Sequence, residues 1–271
     1  MIQNRNVYLK MKTLPEARKI VDEAFELSGV LATETVPVPE AVGRVLAEPI
    51  YARLSSPHFN AAAMDGLAVK AEITFGANES RPKTLQVGQD AFYVNTGHVM
   101  PTATDAVIMI EQVHVLDKDQ IQIDKPVFPW QNVRKVGEDI VATELLFPRN
   151  HLVTPICVGA LLTGGVFSVP VKKAPQILVI PTGSELVDWR NTSMDDFKPG
   201  QVLETNSFVL GGLIESCGGI CTRHDMLMDD SEKIKQVVGK AVDSGYQMIL
   251  ILGGSSAGSE DFAKRVVLES G

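Results

Sequence analysis

The chain has 271 residues, with 25 Lys plus Arg and 33 Asp plus Glu, for a formal net charge of −8. That length exceeds the roughly 250 residues at which one hydrophobic core stops growing, so two or three domains are expected. Apolar residues at 45% and charged residues at 21% exclude a disordered chain, and the acidic balance excludes a general nucleic-acid coat while leaving room for a local anion pocket.

In chain order, the first expected element is a helix from Thr13 to Leu27. Thr13 and Glu16 form a capping-box pattern, Ala17, Ile20, Val21, Ala24 and Phe25 recur at helical spacing, and Gly29 suits the stop. A second short helix is expected over Pro39–Leu46. From Tyr51 to about Lys125 the texture becomes β-like. Runs at Gly66–Val69, Ala106–Ile110, Val113–Leu116 and Gln120–Ile123 are broken by Pro, Gly, Asn and Asp, and Asp117–Asp119 reads as a hairpin turn. Val141–Val171 is turn-rich and is expected to connect back to the first part of the chain. After Pro175 the pattern is regular. Gln176–Ile180 reads as an apolar strand, and a helix from Asn206 should bury Val209, Leu210, Leu213, Ile214 and Cys217. A strand over Ile220–His224 leads to a helix from Ser231 with Ile234, Val237, Val238, Ala241 and Val242 inside. Gln247–Leu252 is a second continuous apolar strand, followed by a helix near Ser259. Alternation of helices with fully apolar strands means a parallel sheet covered on both faces, an α/β doubly wound domain preceded by a β-rich module.

Other motifs exclude more than they assign. No apolar leader follows Met1, and Met248–Leu252 is too short to span a bilayer, so a cytoplasmic protein that meets neither membrane nor nucleic acid is expected. Cys157, Cys217 and Cys221 read as buried thiols of a reducing compartment, not as a zinc set. There is no phosphate-binding GxxxxGK pattern, no GxGxxG and no HExxH, and the five histidines are scattered.

In open α/β sheets ligands bind beyond the carboxyl ends of the strands. Two loops there combine glycines, hydroxyls and an acid: Pro181-Thr182-Gly183-Ser184-Glu185, and Gly253-Gly254-Ser255-Ser256-Ala257-Gly258-Ser259-Glu260-Asp261. Glycines admit a ligand to the backbone, helix N-termini favour an anion, and the carboxylates suit a divalent ion. Asp229-Asp230 lies on the same edge, where complementarity to the helix dipole is the better explanation taken alone. In the first half, Asp65 sits in Asn60–Gly66 among small residues, either as a turn former or as part of a site.

These residues resemble a known family. Asn60–Val69 (NAAAMDGLAV), Asn95-Thr96-Gly97 leading to Asp105–Met109, Arg134–Ile140 (RKVGEDI), Pro181–Leu186 (PTGSEL), Glu204-Thr205-Asn206 and Gly253–Phe262 (GGSSAGSEDF) are similar, in order, to the motifs of the molybdopterin molybdenumtransferases, to which the C-terminal portion of gephyrin belongs. The wording is closest to a divergent bacterial branch whose members are often fused to a further domain.

The resemblance implies an elongated connecting domain of residues 13–50 with 141–172, a β-rich inserted domain of 51–140, and a doubly wound molybdopterin-binding domain of 173–271, incomplete at its C-terminus. It implies insertion of molybdate into adenylylated molybdopterin, release of AMP, a requirement for Mg2+, and a homodimer whose active site is shared between subunits. Motif by motif, Asp65, Asp139, Glu185 and Asp261 would be catalytic, with Glu185 and Asp261 also holding the metal. Thr96, Gly97, Thr182, Gly183, Ser184, Asn206, Gly254, Ser255, Ser256 and Gly258 would bind substrate. Ser184 stands where the family usually has an acid, Glu204 where it has Asp, and Leu67 where it has an aromatic residue. Ser184 motivates a second expectation, a non-catalytic molybdopterin-binding sensor module of a fused protein.

Overall fold

The computed structural model describes residues 12–24, 31–193, 195, 197–253 and 262–269, of which residues 262–265 are described by backbone alone. The chain divides into two compact units, residues 35–171 and residues 1–34 with 172–271.

Helix α1 spans Leu14–Ala24. Its cap is the expected one: the Thr13 backbone N–H donates to Glu16 at 2.8 Å, and the Glu16 N–H donates back to the Thr13 hydroxyl at 3.4 Å. Phe25 and Gly29 lie outside the described residues. β1 (Thr33–Pro37) follows. The short helix expected over Pro39–Leu46 is only a 3-10 turn, Val38–Ala41. Beyond that turn the backbone of Leu46 bonds to residues 150 and 151, and Val45 and Leu46 bridge Leu152 and Val171, so tertiary pairing replaces the helix.

In residues 35–171, β2 is Ile50–Tyr51, β3 is Ala61–Ala62 and β4 is Gly66–Val69. A four-residue helix, α2, spans Ala71–Thr74. Then come β5 (Lys83–Gln86), β6 (Ala91–Val94), β7 (Ala106–Met109), β8 (His114–Val115), β9 (Gln120–Ile123) and β10 (Val133–Arg134). β4 is the middle strand of an antiparallel sheet between β6 and β7, and all four of its residues are buried. β9 pairs with β5 and, as the expected hairpin, with β8. The run expected over Val113–Leu116 shortens to two strand residues, because Ile110–Gln112 closes into a 3-10 turn.

The stretch 141–171 is more regular than its prolines suggest. It holds β11 (Leu145–Phe147), α3 (Pro155–Thr163) and the start of β12 (Ser168–Lys172). Pro155 begins a helix instead of breaking one, since its missing N–H is unneeded in the first turn. Thr154 caps that turn, with the Cys157 sulfur accepting from the Thr154 N–H at 3.4 Å. Leu67, Ile108, Ile121 and Ile123 centre one core, and Leu46, Leu161, Val169 and Val171 centre another.

In the other unit, β13 (Gln176–Pro181) is the central strand of a parallel sheet in the order β16-β13-β17. The unit continues with β14 (Leu186–Val187) and β15 (Val202–Leu203), a separate parallel pair. Then come α4 (Asn206–Ser216), β16 (Ile220–Arg223), α5 (Ser231–Asp243), β17 (Met248–Leu252) and α6 (Phe262–Glu269). Leu178 and Ile180 pack with Ile234, Val238 and Ala241 of α5 and Val266 of α6. Val242 is exposed, contrary to the face expected for α5.

Alternation along the strand sends Ile177 and Val179 to the opposite face, where α4 lies against β13 and β16. The sheet is thus doubly wound, as its apolar strands implied. The face of α4 differs from expectation. Ser207 and Gly211 are buried, while Val209 and Leu213 are 61% and 55% exposed and Cys217 is exposed. Small residues at i and i+4 let this helix approach the sheet closely, which a count of large apolar residues misses.

Candidate functional site

β13 leads into α4 on one face, and β17 leads into α6, which packs beside α5 on the other. Adjacent strands whose connections leave in opposite directions open a crevice at their carboxyl ends, the switch point of this fold class. The Pro181–Glu185 loop lies there. It is tied to the end of β17 by the Thr182 N–H and hydroxyl, which donate to the Leu252 carbonyl at 2.7 and 2.9 Å.

Two glycines permit this junction. Gly253 has φ +108°, and a Cβ on it would lie 2.5 Å from the Thr182 carbonyl oxygen. Gly183 has φ +151°, and a Cβ there would lie 2.8 Å from both carboxylate oxygens of Glu185, so the carboxylate folds back against bare backbone. A cavity of about 220 Å3 is lined by Thr182, Glu185, Glu204, Asn206 and Gly253. Asn206 is the first residue of α4, so the positive end of that helix lies at this cavity, where the Ser207 N–H donates to the Glu204 carboxylate at 2.8 Å.

The expected residues thus fall into four sets. Thr182, Gly183, Glu185 and Asn206 are gathered at the switch point. Ser184 is turned elsewhere: its N–H and hydroxyl donate to the Asp229 carboxylate at 3.1 and 2.6 Å. Asp229 therefore binds two sheet-edge loops together, while its neighbour Asp230 caps α5 through the N–H groups of Glu232 and Lys233. Gly254, Ser255, Ser256, Gly258 and Asp261 lie outside the described residues. Among the described residues no group of three His, Cys, Asp or Glu side chains is arranged to hold a metal ion.

In the other unit, Asp65 and Thr96 meet. One Asp65 oxygen accepts the Thr96 N–H at 2.7 Å and its hydroxyl at 3.0 Å. These bonds, the backbone one first, hold the Asp65 carboxyl below its usual pKa, with His98 adding a smaller effect. Gly97 follows with φ +85°, its N–H bonded to Ala62. Asp139 is paired with the Arg134 guanidinium, whose pKa is raised by that partner, and its backbone N–H bonds to Ser56. The Asp65 motif is therefore more than a turn: its carboxylate is fixed by the Asn95–Gly97 motif about thirty residues away.

Sequence reasoning missed a second cavity of about 570 Å3 that shares Pro181 and Glu204 with the first. It is lined further by Phe208, Arg223 and His224. The available signal was Arg223-His224-Asp225 at the carboxyl end of β16, the third strand on the same edge.

Residues 12–165 match the family model described as the MoeA N-terminal region (domain I and II), and residues 178–271 match the one described as a probable molybdopterin binding domain. The chain is 33% identical to a molybdopterin biosynthesis protein of Methanocaldococcus jannaschii, over 95% of this chain and 67% of that protein. It is 30% identical to molybdopterin molybdenumtransferase 2 of Mycobacterium tuberculosis, over 94% of this chain and 64% of that enzyme. A crystal structure of the molybdopterin biosynthesis moeA protein from Pyrococcus horikoshii superposes with a TM-score of 0.80 at 32% identity, covering 96% of this chain and 67% of that one. The chain thus spans about two thirds of the length of these relatives. Their names are those of biosynthetic proteins and do not favour the sensor reading. With both regions matched in order and the fold in place, the chain belongs to the MoeA family of molybdopterin biosynthesis proteins.

Proposed function

We propose that the chain carries the metal-inserting step of molybdenum cofactor biosynthesis, placing molybdate in the dithiolene of adenylylated molybdopterin with release of AMP. The observation that supports it most directly is the switch-point cavity, where Glu185 lies over Gly183 beside the N-terminus of α4. The relatives named molybdenumtransferase supply the reaction. The chain reads as three parts: connecting segments 13–50 and 141–172, an inserted β-rich module 51–140, and the molybdopterin-binding part 173–271. The cytoplasm is the compartment this reading implies.

The donor set at the cavity fits Mg2+. That ion takes hard oxygen ligands and typically uses one or two carboxylates together with substrate phosphate oxygens. Glu185 offers one such carboxylate, and Asp261 is proposed as the other. Bound there, the ion would neutralise charge at the phosphoanhydride as AMP leaves. The rest falls to the chain. Gly183 and Gly253 let the Glu185 carboxylate and the Thr182 carbonyl pack against bare backbone, and Thr182 keeps the loop in register with the end of β17. Asn206 and the first turn of α4 orient the anion, and Gly254, Ser255, Ser256 and Gly258 are proposed to add hydroxyl and N–H donors. Ser184 acts one step removed, by holding Asp229. Asp65, with Thr96 and Gly97, and Asp139 are proposed to complete the site from the second subunit of a homodimer.

The test is release of AMP from adenylylated molybdopterin by the purified chain, with and without molybdate. Molybdate-dependent release that falls on the order of 100-fold in Glu185→Gln is expected. No release, or release indifferent to Glu185, overturns the proposal. Mixing Asp65→Ala with Glu185→Gln protein should restore about a quarter of the activity, because mixed dimers keep one intact shared site. No recovery on mixing argues against the shared site alone.

A further inference from the structure

Two stretches within residues 35–171 run antiparallel without completing a ladder. At one end Leu46 bridges Val171, and the Ala47 N–H donates to the Pro170 carbonyl at 2.9 Å. At the other end the N–H groups of Arg53 and Leu54 donate to the Gly164 carbonyl at 2.7 and 3.0 Å. Both ends keep one register, which sets Pro49 opposite Ser168 and Tyr51 opposite Val166. Among the described residues no backbone hydrogen bond joins either of these pairs. The cause is a shortage of donors. Pro49 has no N–H to give the Ser168 carbonyl, and the Val166 N–H is already taken by the Leu161 carbonyl at 2.9 Å. The two stretches part there around a cavity of about 500 Å3, within the roughly 300–1,000 Å3 range of small-molecule sites.

The walls of this gap carry backbone groups that the ladder leaves over. The Ala52 N–H donates to Glu144 at 2.9 Å, and the Ala52 carbonyl accepts from Thr143 at 2.8 Å. Alternation therefore turns the N–H and C=O of Tyr51 to the opposite side, into the gap. Pro170 directs its carbonyl toward Ala47, so Ser168, two residues earlier, faces the gap as well. Tyr51 and Ser168 each offer one donor and one acceptor there. Ile50, Ala52 and Val166 give an apolar lining, and Glu48 and Arg53 line the gap as exposed charges of opposite sign. An extended peptide matches this arrangement. Its backbone completes a ladder with an open strand edge, its ammonium group meets Glu48 and its carboxylate meets Arg53. The closing bonds at Ala47 and Arg53 limit its length, because the strand between them is on the order of 20 Å long.

We propose that this gap binds a short peptide of about three residues with free termini, running parallel to β2 and supplying the hydrogen bonds missing between Tyr51 and Ser168. The site is built wholly within residues 35–171 and does not depend on the molybdopterin reading.

The experiment is a heteronuclear NMR titration of the full chain with trialanine, following backbone amides. Free trialanine should shift the Tyr51 and Ser168 signals saturably, with a Kd on the order of 1 mM. Trialanine acetylated at one end and amidated at the other keeps the backbone and loses both charges, and it should bind about threefold more weakly or worse. Trialanine methylated on its central nitrogen keeps both charges and loses a ladder donor, and it should also bind more weakly. Arg53→Gln and Glu48→Gln should each weaken the free peptide by about threefold and leave the capped one unchanged. The ligand comparisons use unmutated protein, so they stand whether or not either variant folds. No saturable shift at about 10 mM peptide, equal affinity for free and capped peptides, or undiminished binding of the methylated peptide overturns the assignment. So does a shift of the same two signals with protein concentration alone, which marks a second copy of the chain as the occupant.

Discussion

Asp65 shows how much one carboxylate is shaped by residues remote in sequence. Two hydrogen bonds from Thr96 favour its charged form, so its pKa lies below that of an ordinary aspartate. The sign follows from linkage: a lowered folded-state pKa gives stabilisation that is present above the unfolded value and is lost as the pH falls through the folded one. An NMR titration should find the Asp65 midpoint below the usual carboxylate range, and Thr96→Val should move it upward. Gly253 carries a steric prediction of the same locality. Alanine there would drive its Cβ into the Thr182 carbonyl at 2.5 Å, so Gly253→Ala should destabilise by roughly 1–3 kcal/mol in urea titrations and uncouple the two loops. The paired acids Asp229 and Asp230 divide their work in a way that sequence order alone does not reveal. One takes the Ser184 N–H and hydroxyl, the other caps a helix.

At the scale of elements, capping chemistry was the most legible signal and large apolar side chains the least. The Thr13–Glu16 box is formed as the spacing required. Asp230 caps α5, and Asp230→Ala should cost about 1 kcal/mol in chemical denaturation, while Asp229→Ala should leave that helix in place and free the Ser184 loop. α4 misled for a physical reason. Its buried positions are Ser207 and Gly211, chosen for close approach to the sheet, so Val209 and Leu213 face outward despite their hydrophobicity. α3 was hidden because its residues are apolar all round, which gives no periodicity to read, and because Pro155 reads as a break when it occupies a permitted first-turn position. Pro39 raised the opposite expectation, a helix, which β-bridges from Val45 and Leu46 cut short.

At the scale of the molecule, two compact units have cores of their own, two in residues 35–171 and one around Ile180 and Ile234 in the other unit. Ile121 is fully buried in one and Ile234 is 99% buried in the other, so each truncation to alanine should cost about 2–5 kcal/mol in its own unit. Hydrogen exchange read by mass spectrometry should quicken within residues 35–171 for Ile121→Ala, and within residues 172–253 for Ile234→Ala. Exchange that quickens everywhere in both variants would mean that the cores melt as one. The acidic balance also takes on meaning at this scale. A net charge of −8 is compatible with anionic ligands when the positive potential is local, from the first turn of α4, Arg223, and a metal at the proposed carboxylates.

The sequence by itself determined the class of the second half of the chain, because a continuous apolar strand is explicable only when both of its faces are covered. It also determined where to look, since the two loops rich in glycine and hydroxyls sit at the carboxyl ends of those strands. Tertiary structure decided what periodicity does not encode. It decided the strand order that makes a switch point of β13 and β17, and the turning of Ser184 away toward Asp229. It also decided the joining of Asp65 to Thr96 across 31 residues. The Arg223–Phe208 stack comes together in the same way. These are pairings between residues remote in the chain, set by which hydrogen bonds and packing partners the folded backbone brings within reach.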